Sequence, residues 1–351
     1  MQNEEAIELL KELISIPSLS GEEKGTGDAI QTFLGRKDIE SQRSLNNVWA
    51  VNKHYDQGKP TILLNSHHDT VKPNKSYTRN PNEPAVEDGK LYGLGSNDAG
   101  GALVSLLAAF IHFYPQQNLK YNILFAATAE EEISGRNGIS AILPRLGKID
   151  FALVGEPTLM QMAIAEKGVL VLDCIARGRA GHAARDEGIN AIYKALPDIE
   201  WFRNFRFTKV SELLGSVKMT VTVINAGTLH NVVPDICTFT VDVRVNELYS
   251  NEEIFETIKK SVACEVKARS LRLRSSFIPE DHLLVQAGKS LGLKIYGSPT
   301  ISDRALIPVP CLKLGPGDSA RSHIADEFIY LREINEGIAL YIKMLEKIIA
   351  E

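Results

Sequence analysis

Apolar and polar positions alternate in two different textures along the chain. In the first half, short unbroken apolar runs stand apart from one another: NVWAV from Asn47, TILLN from Thr61, NILFAAT from Asn122 and FALVG from Phe151. A helical apolar run from Gly101 to Tyr114 lies among them. Continuous apolar strands separated by helices predict an α/β layer with both sheet faces covered. The amino-terminal MQNEEAIELLKELISI reads as an amphipathic helix. From Val169 the texture changes to strand (VLVLDCIA), helix (INAIYKALPDI), strand (KMTVTVI), strand (TFTVDVRV), helix (NEEIFETIKKSV) and strand (KARSLRLR). That β-α-β-β-α-β order is a known supersecondary pattern. After Phe277 a helix is expected over Asp281 to Leu291, short strands around Leu306 and Leu312, and a long helix from Leu331 to Ala350. The pattern predicts a smaller domain, 168–277, inserted into a larger one made of 1–167 and 278–351.

Composition narrows the picture. A chain of 351 residues, 44% hydrophobic, has room for two domains of ordinary size. Its net charge of -5 provides no basic stripe for nucleic acid and no polybasic patch for a membrane. Cys174, Cys237, Cys264 and Cys311 are widely spaced and form no CxxC pair, which fits a reducing compartment. The amino terminus lacks the basic and apolar regions of a secretory signal, and the longest apolar run falls short of the ~20 residues of a membrane span. A soluble, cytoplasmic protein is expected.

The chemistry gathers where the strands end. TILLN runs into SHHDTV; the loop LYGLGSNDAGG carries Asp98; NILFAAT ends in Glu130, Glu131 and Glu132; FALVG is followed by Glu156 and Pro157; and His323 lies in GPGDSARSHIADE. In open α/β sheets, ligands bind beyond the carboxyl ends of the strands. Each feature alone has a plain reading, Asp98 as a helix N-cap and the glutamates as a solvated turn. Together, imidazoles and several carboxylates at one sheet edge suit zinc, with cobalt or manganese as substitutes. More carboxylates than one ion needs point to two ions.

The motifs SHHDTV, YGLGSNDAGG, TAEEE, VGEPT, GHAA, NVVPD and GPG with a downstream His resemble the M20 metallopeptidase family over essentially the whole chain. The resemblance implies a three-layer α/β catalytic domain with a zinc-peptidase-like sheet and an inserted ferredoxin-like lid and dimerisation domain. It implies two zinc ions, one held by His67 and Glu156, the other by Glu132 and His323, with Asp98 bridging. Asp69 would orient His67, with His68 on the other face. Glu131 would be the general base, in extended chain facing away from Glu132, while Glu130 receives no role. His182 of the lid would stabilise an oxyanion in the partner subunit of a homodimer. Asn231, Arg244 and Gly315 would contact substrate. Three positions depart from the family pattern: the usual Lys is missing after Asp98, Asp186 replaces a Pro, and Ile301 precedes Ser302-Asp303 in place of Thr. The implied activity is removal of the acyl group from a small-molecule N-acyl amino acid. N-acetylornithine is the first candidate, with N-succinylornithine, N-acetylcitrulline and N-acyl-lysine as variants. The alternatives are a di- or tripeptidase, a carboxypeptidase, or a succinyl-diaminopimelate desuccinylase.

Overall fold

The structure is a computed structural model that describes residues 3–185 and 187–349. Asp186 and Ala350, both singled out in the sequence, lie outside the described residues. Two helices open the chain, α1 (Asn3–Ser15) and α2 (Lys24–Gly35), and α1 buries the stripe Leu9, Leu10, Leu13 and Ile14. The strands β1 (Gln42–Ser44), β2 (Asn47–Val51) and β3 (Thr61–His67) follow, then the short pair β4 (Ala85–Glu87) and β5 (Lys90–Tyr92). Helix α3 (Gly101–Phe113) precedes β6 (Asn122–Thr128), α4 (Ile139–Ile142), β7 (Phe151–Val154) and β8 (Met162–Glu166).

Cα packing divides the chain into two compact units. The first comprises Met1–Ile164, Ile278–Tyr296 and Ser302–Glu351; the second comprises Ala165–Phe277 and Gly297–Ile301. The second unit holds β9 (Gly168–Arg177), β10 (Gly181–His182), α5 (Ala191–Asn204), β11 (Lys218–Ala226), β12 (Val232–Val233), β13 (Ile236–Val245), α6 (Asn251–Ser261), β14 (Glu265–Ala268) and β15 (Ser276–Phe277). The chain then runs through α7 (Leu283–Ser290), β16 (Ile295–Ser298), β17 (Cys311–Lys313), β18 (Phe328–Tyr330) and α8 (Leu331–Ile349).

In the first unit the main sheet has the order β1-β2-β6-β3-β7-β17-β8. Strands β6, β3, β7 and β17 are mutually parallel, so their carboxyl ends share one edge. Every residue of β3, β6 and β7 is buried, as the unbroken apolar runs required. Helix α3 packs on β3 and against α1 and α8. Its buried residues surround its axis, including Leu103, Val104, Leu106, Leu107 and Phe110, so it is a core helix without a solvent face. On the opposite sheet face Leu63, Leu124 and Val154 meet Ile139 and Ile142 of α4.

The second unit is an antiparallel sheet of order β11-β13-β9-β14. Its inward residues, such as Leu172, Phe239 and Val241, form one core with Ala195 and Phe202 of α5 and Ile254 and Ile258 of α6. The connection β9-α5-β11-β13-α6-β14 is the β-α-β-β-α-β order read from the sequence, with the small β10–β12 ladder added.

Some expectations need correction. No strand forms at Leu306, which ends a 3-10 turn, Asp303–Leu306, because Ser302 Oγ accepts from the Arg304 N–H and Pro308 and Pro310 offer no N–H to a ladder. Strand β14 stops at Ala268, short of LRLR, because the Asn251 side-chain amide takes the carbonyls of Leu271 and Leu273. Asp98 does not cap α3: Gly100 holds that position, and Asp98 lies in a tight π-type turn, Ser96–Gly100.

Candidate metal centre

Strand β3 delivers His67 to the shared edge, β6 ends at Thr128 shortly before Glu131 and Glu132, and β7 stops two residues before Glu156. The His67 ring is fully enclosed, and its Nδ1 stands 3.1 Å from the backbone oxygen of Asp69 and 3.4 Å from Asp69 Oδ1. Nδ1–H is therefore the donor, which leaves the Nε2 lone pair free. Nε2 is buried without a hydrogen-bond partner, 3.4 Å from Asp98 Oδ1, 3.8 Å from Glu156 Oε1 and 3.9 Å from Glu131 Oε2. A nitrogen aimed among three carboxylates is a place for positive charge, a proton on the ring or a metal ion on its lone pair.

Proton affinities reflect the same imbalance. Burial pulls the His67 imidazole down, yet the carboxylates of Glu131, Asp69, Asp98 and Glu156 outweigh it and hold the ring well above its ordinary value. Burial, then the Glu156 charge, pushes Glu131 well above the usual carboxylate range, and burial also raises Glu132. For Asp98, burial is overcome by His67, and the group stays below its ordinary value. Among the described residues two sets of three donors, His67 with Glu131 and Glu156 and His67 with Asp98 and Glu132, each lie within 4.8 Å of one another. Imidazole with carboxylate donors is the ligand chemistry of divalent zinc-type ions, so the residues present fit the metals that the sequence implied.

The other side of the cluster is closed by His323. Its Nε2 is 3.0 Å from Glu132 Oε2 and 3.6 Å from Asp98 Oδ2, and the Glu132 hydrogen bond raises its pKa to about 9. The two oxygens of Asp98 thus face different imidazoles, Oδ1 toward His67 and Oδ2 toward His323.

Asp69 does more than face His67. Its Oδ1 accepts from the Glu131 N–H at 3.0 Å, and its Oδ2 accepts from the Glu132 N–H at 3.2 Å and from Ser20 Oγ at 2.7 Å. One buried carboxylate therefore orients an imidazole and fixes the backbone of both neighbouring glutamates. The glutamates are not in extended chain. Glu130 takes φ +52°, and the segment turns, with Ser134 N donating to Glu131 O and Gly135 N to Glu130 O. The Glu130 carboxylate accepts from the backbone N–H of Asn137 at 3.0 Å and from its side-chain amide at 2.8 Å, clamping the turn. Glu130 N in turn donates to the fully buried Glu23, a residue the sequence reading passed over because it sits in no strand end.

His68 turns away from the cluster. Thr26 Oγ1 donates to its Nδ1 at 2.8 Å and its Nε2–H donates to Asn46 O at 3.0 Å; burial lowers its pKa to about 4. Gly315 lies against Glu156: a Cβ there would meet Glu156 O at 2.4 Å, so only glycine leaves the carboxylate's backbone in place. Two further acids carry no role in the sequence motifs. Asp303 is buried and accepts from Thr128 Oγ1 at 2.7 Å and Asn65 Nδ2 at 2.9 Å, and burial pushes it to about 6. Glu327 is 1% exposed and accepts three backbone N–H groups: Asn97 at 2.9 Å, Asp98 at 2.9 Å and Gly95 at 3.2 Å. Burial, then the Asp98 charge, pushes it to about 8 against those donors. Both follow known landmarks in the sequence, but nothing in the pattern of either segment marks burial.

In the second unit, β10 pairs with β12 so that His182 lies opposite Val232, next to Asn231, whose carbonyl accepts from Ala183 N at 3.0 Å. His182 is exposed, and its Nδ1 accepts from the Ala184 N–H at 3.1 Å, which places the ring proton on Nε2. Arg244 is held by Asp242, two residues away on the same face of β13, through bonds of 2.8 and 3.0 Å. It is not a free guanidinium.

A family profile described as Peptidase family M20/M25/M40 matches residues 63–347. The chain belongs to that family. Accordingly it is a metal-dependent hydrolase of amide C–N bonds. A succinyl-diaminopimelate desuccinylase of Wolbachia pipientis wMel is 27% identical over 372 aligned positions, covering 97% of this chain and 92% of the relative. The desuccinylase of Xylella fastidiosa (strain M12) is 26% identical, with 99% of each chain covered. Among solved structures, the aminopeptidase PepT of Bacillus cereus superposes with a TM-score of 0.78 at 19% identity, over 100% of both chains. A dinuclear metal-binding M20 peptidase of Bacillus subtilis gives a TM-score of 0.75 at 18% identity, covering 99% of this chain and 98% of its own. The M20 fold expected from the motifs is therefore the fold observed.

Proposed function

We propose that this M20 hydrolase holds two zinc ions and removes the N-acyl group from an N-acyl amino acid, with N-acetylornithine as the first candidate substrate. The observation that carries the reading is the cluster at the carboxyl ends of β3, β6 and β7, where His67 Nε2 stands unpartnered among three carboxylates. His67 and Glu156 would hold one ion, Glu132 and His323 the other, and Asp98 both; cobalt would substitute for zinc. When bound, such ions acidify water and polarise the scissile carbonyl.

The chain's own groups supply the rest. Glu131, buried and raised in proton affinity, accepts the proton as the water oxygen bonds to the acyl carbon, and returns it to the amine nitrogen as the C–N bond breaks. Asp69 keeps Glu131 in register through the 3.0 Å bond to its backbone N–H. His182 offers its Nε2–H to the oxyanion in the active site of the partner subunit. Asn231 and Arg244 bind substrate, Arg244 exchanging part of its pairing with Asp242 for a substrate carboxylate, and Gly315 keeps the space beside Glu156 open. The second unit serves as lid and dimerisation domain. Its support is the edge strand β11, which exposes Val223 and Ile224, with Tyr193 and Leu196 exposed on α5. A cytoplasmic enzyme fits the four free cysteines.

A second reading, succinyl-diaminopimelate desuccinylase, is favoured by the two relatives that match nearly the whole chain. The deciding experiment offers zinc-loaded protein N-acetyl- and N-succinylornithine, N-acetylcitrulline, N-acetyl-lysine, N-succinyl-diaminopimelate and unblocked di- and tripeptides, and follows release of free amine. Highest kcat/KM on N-acetylornithine is the expected result. Turnover of N-succinyl-diaminopimelate alone establishes the second reading, and cleavage of unblocked peptides alone overturns both.

A further inference from the structure

We propose that Glu327 is the positioning residue for Asp98, fixing the carboxylate that faces both imidazoles. Three observations carry this. First, Glu327 gathers the backbone N–H groups of Asn97 and Asp98 on Oε1, at 2.9 Å each, and that of Gly95 on Oε2 at 3.2 Å. A single buried side chain thus accepts from Asn97 and Asp98 within the turn that presents Asp98 and from Gly95 just before it, a turn with non-helical backbone angles at Asp98 (φ -118°, ψ 98°). Without an acceptor there, three enclosed N–H groups lose their partners.

Second, the Glu327 main chain is itself anchored to the same loop. Its carbonyl accepts from Gly93 N at 3.0 Å, and the next residues form β18, which pairs with β5 through Phe328 opposite Tyr92. Third, the same segment carries His323. Four residues before Glu327, that imidazole meets Asp98 Oδ2 and Glu132 Oε2 from the opposite side. The stretch 323–330 therefore supplies one imidazole of the cluster and sets the carboxylate opposite it, so one short piece of chain fixes the distance between two donors. Groups that orient donors in this way are worth about 10–100-fold in metal affinity.

The inference rests on Asp98 being a metal ligand, and the test separates the two. Zinc and cobalt binding to E327A, E327Q and D98N would be measured by calorimetry, alongside the visible spectrum of the cobalt form and the thermal midpoint. E327A is expected to bind at least one ion about 10–100-fold more weakly, with an altered cobalt spectrum and a lowered thermal midpoint, because three enclosed N–H groups lose their acceptor. E327Q is expected to recover part of the loss, because its amide oxygen can still accept from Asn97 and Asp98 while its NH2 opposes the Gly95 N–H. Once a substrate is in hand, kcat should fall in E327A with KM changed less than about 3-fold, since Glu327 touches neither substrate nor base. Parent-like metal affinity and cobalt spectrum in E327A, with D98N impaired, would overturn the role of Glu327 alone. Parent-like metal binding in D98N would remove Asp98 from the ligands and the proposal with it. If E327A does not fold, E327Q carries the test, and an unchanged cobalt spectrum and affinity in that variant overturns the proposal.

Discussion

Three neighbouring glutamates in one turn have three different surroundings. Glu130 points back to Asn137 and closes the turn, Glu131 lies within 3.9 Å of His67 Nε2, and Glu132 meets His323. The differences follow from the backbone, where the positive φ at Glu130 and the two N–H bonds to Asp69 turn identical side chains in separate directions. E131Q is expected to lower kcat by about 10²–10⁴-fold with bound metal unchanged. Metal loss in E131Q, read by elemental analysis, would make Glu131 a ligand beside His67 and Glu156. E130Q should keep most activity and lower the thermal midpoint, since an amide can accept only one of the two Asn137 bonds well. Sequence alone distinguished Glu131 from Glu132 only through resemblance. The assumption that the two face opposite ways in extended chain fails, because propensity and alternation contain no trace of a turn held by a carboxylate more than sixty positions upstream.

At the scale of elements, legibility followed length and periodicity. The apolar runs at Asn47, Thr61, Asn122 and Phe151 became β2, β3, β6 and β7 with little change in bounds, since continuous burial leaves a continuous apolar signature. The short strands β4, β5 and β18 escaped the reading. Strand β18 lies far from its partner β5 in sequence, β4 and β5 are only three residues each, and their side chains are half-exposed, as the cation-aromatic contact of Lys90 with Phe328 illustrates. The start of α7 was misplaced for a related reason: its N-cap is His282, whose Nδ1 accepts from the Leu284 N–H at 3.3 Å. Imidazole is an unusual cap, and it makes this helix pH-sensitive. Burial holds His282 below its ordinary value of 6.5. As pH falls through that value the unfolded chain gains the proton first, so the stability contributed by the cap is present above pH ~6.5 and is lost on acidification below it. Urea unfolding at a series of pH values should show H282N, with a cap that does not titrate, losing less stability between pH 7.5 and 5.5 than the parent.

For the whole molecule, the two units have separate cores. Ile224 is 53% exposed on the edge strand β11. If that edge joins two copies, I224K should convert a dimer to a monomer in light scattering at unchanged metal content. Turnover should fall with the dimer, because His182 would no longer reach a partner.

The wide spacing of the donors along the chain also governs the order of events during synthesis. His67, Asp98, Glu131, Glu132 and Glu156 all leave the ribosome before the second unit, whereas His323 and Glu327 emerge only after it is complete. A nascent chain holding the acidic half of the cluster has neither the closing imidazole nor the clamp on Asp98. With the proposed ligands, full metal affinity is deferred until nearly the last segment has been made, and an interrupted or carboxyl-terminally clipped chain would carry the acidic groups without His323 and Glu327.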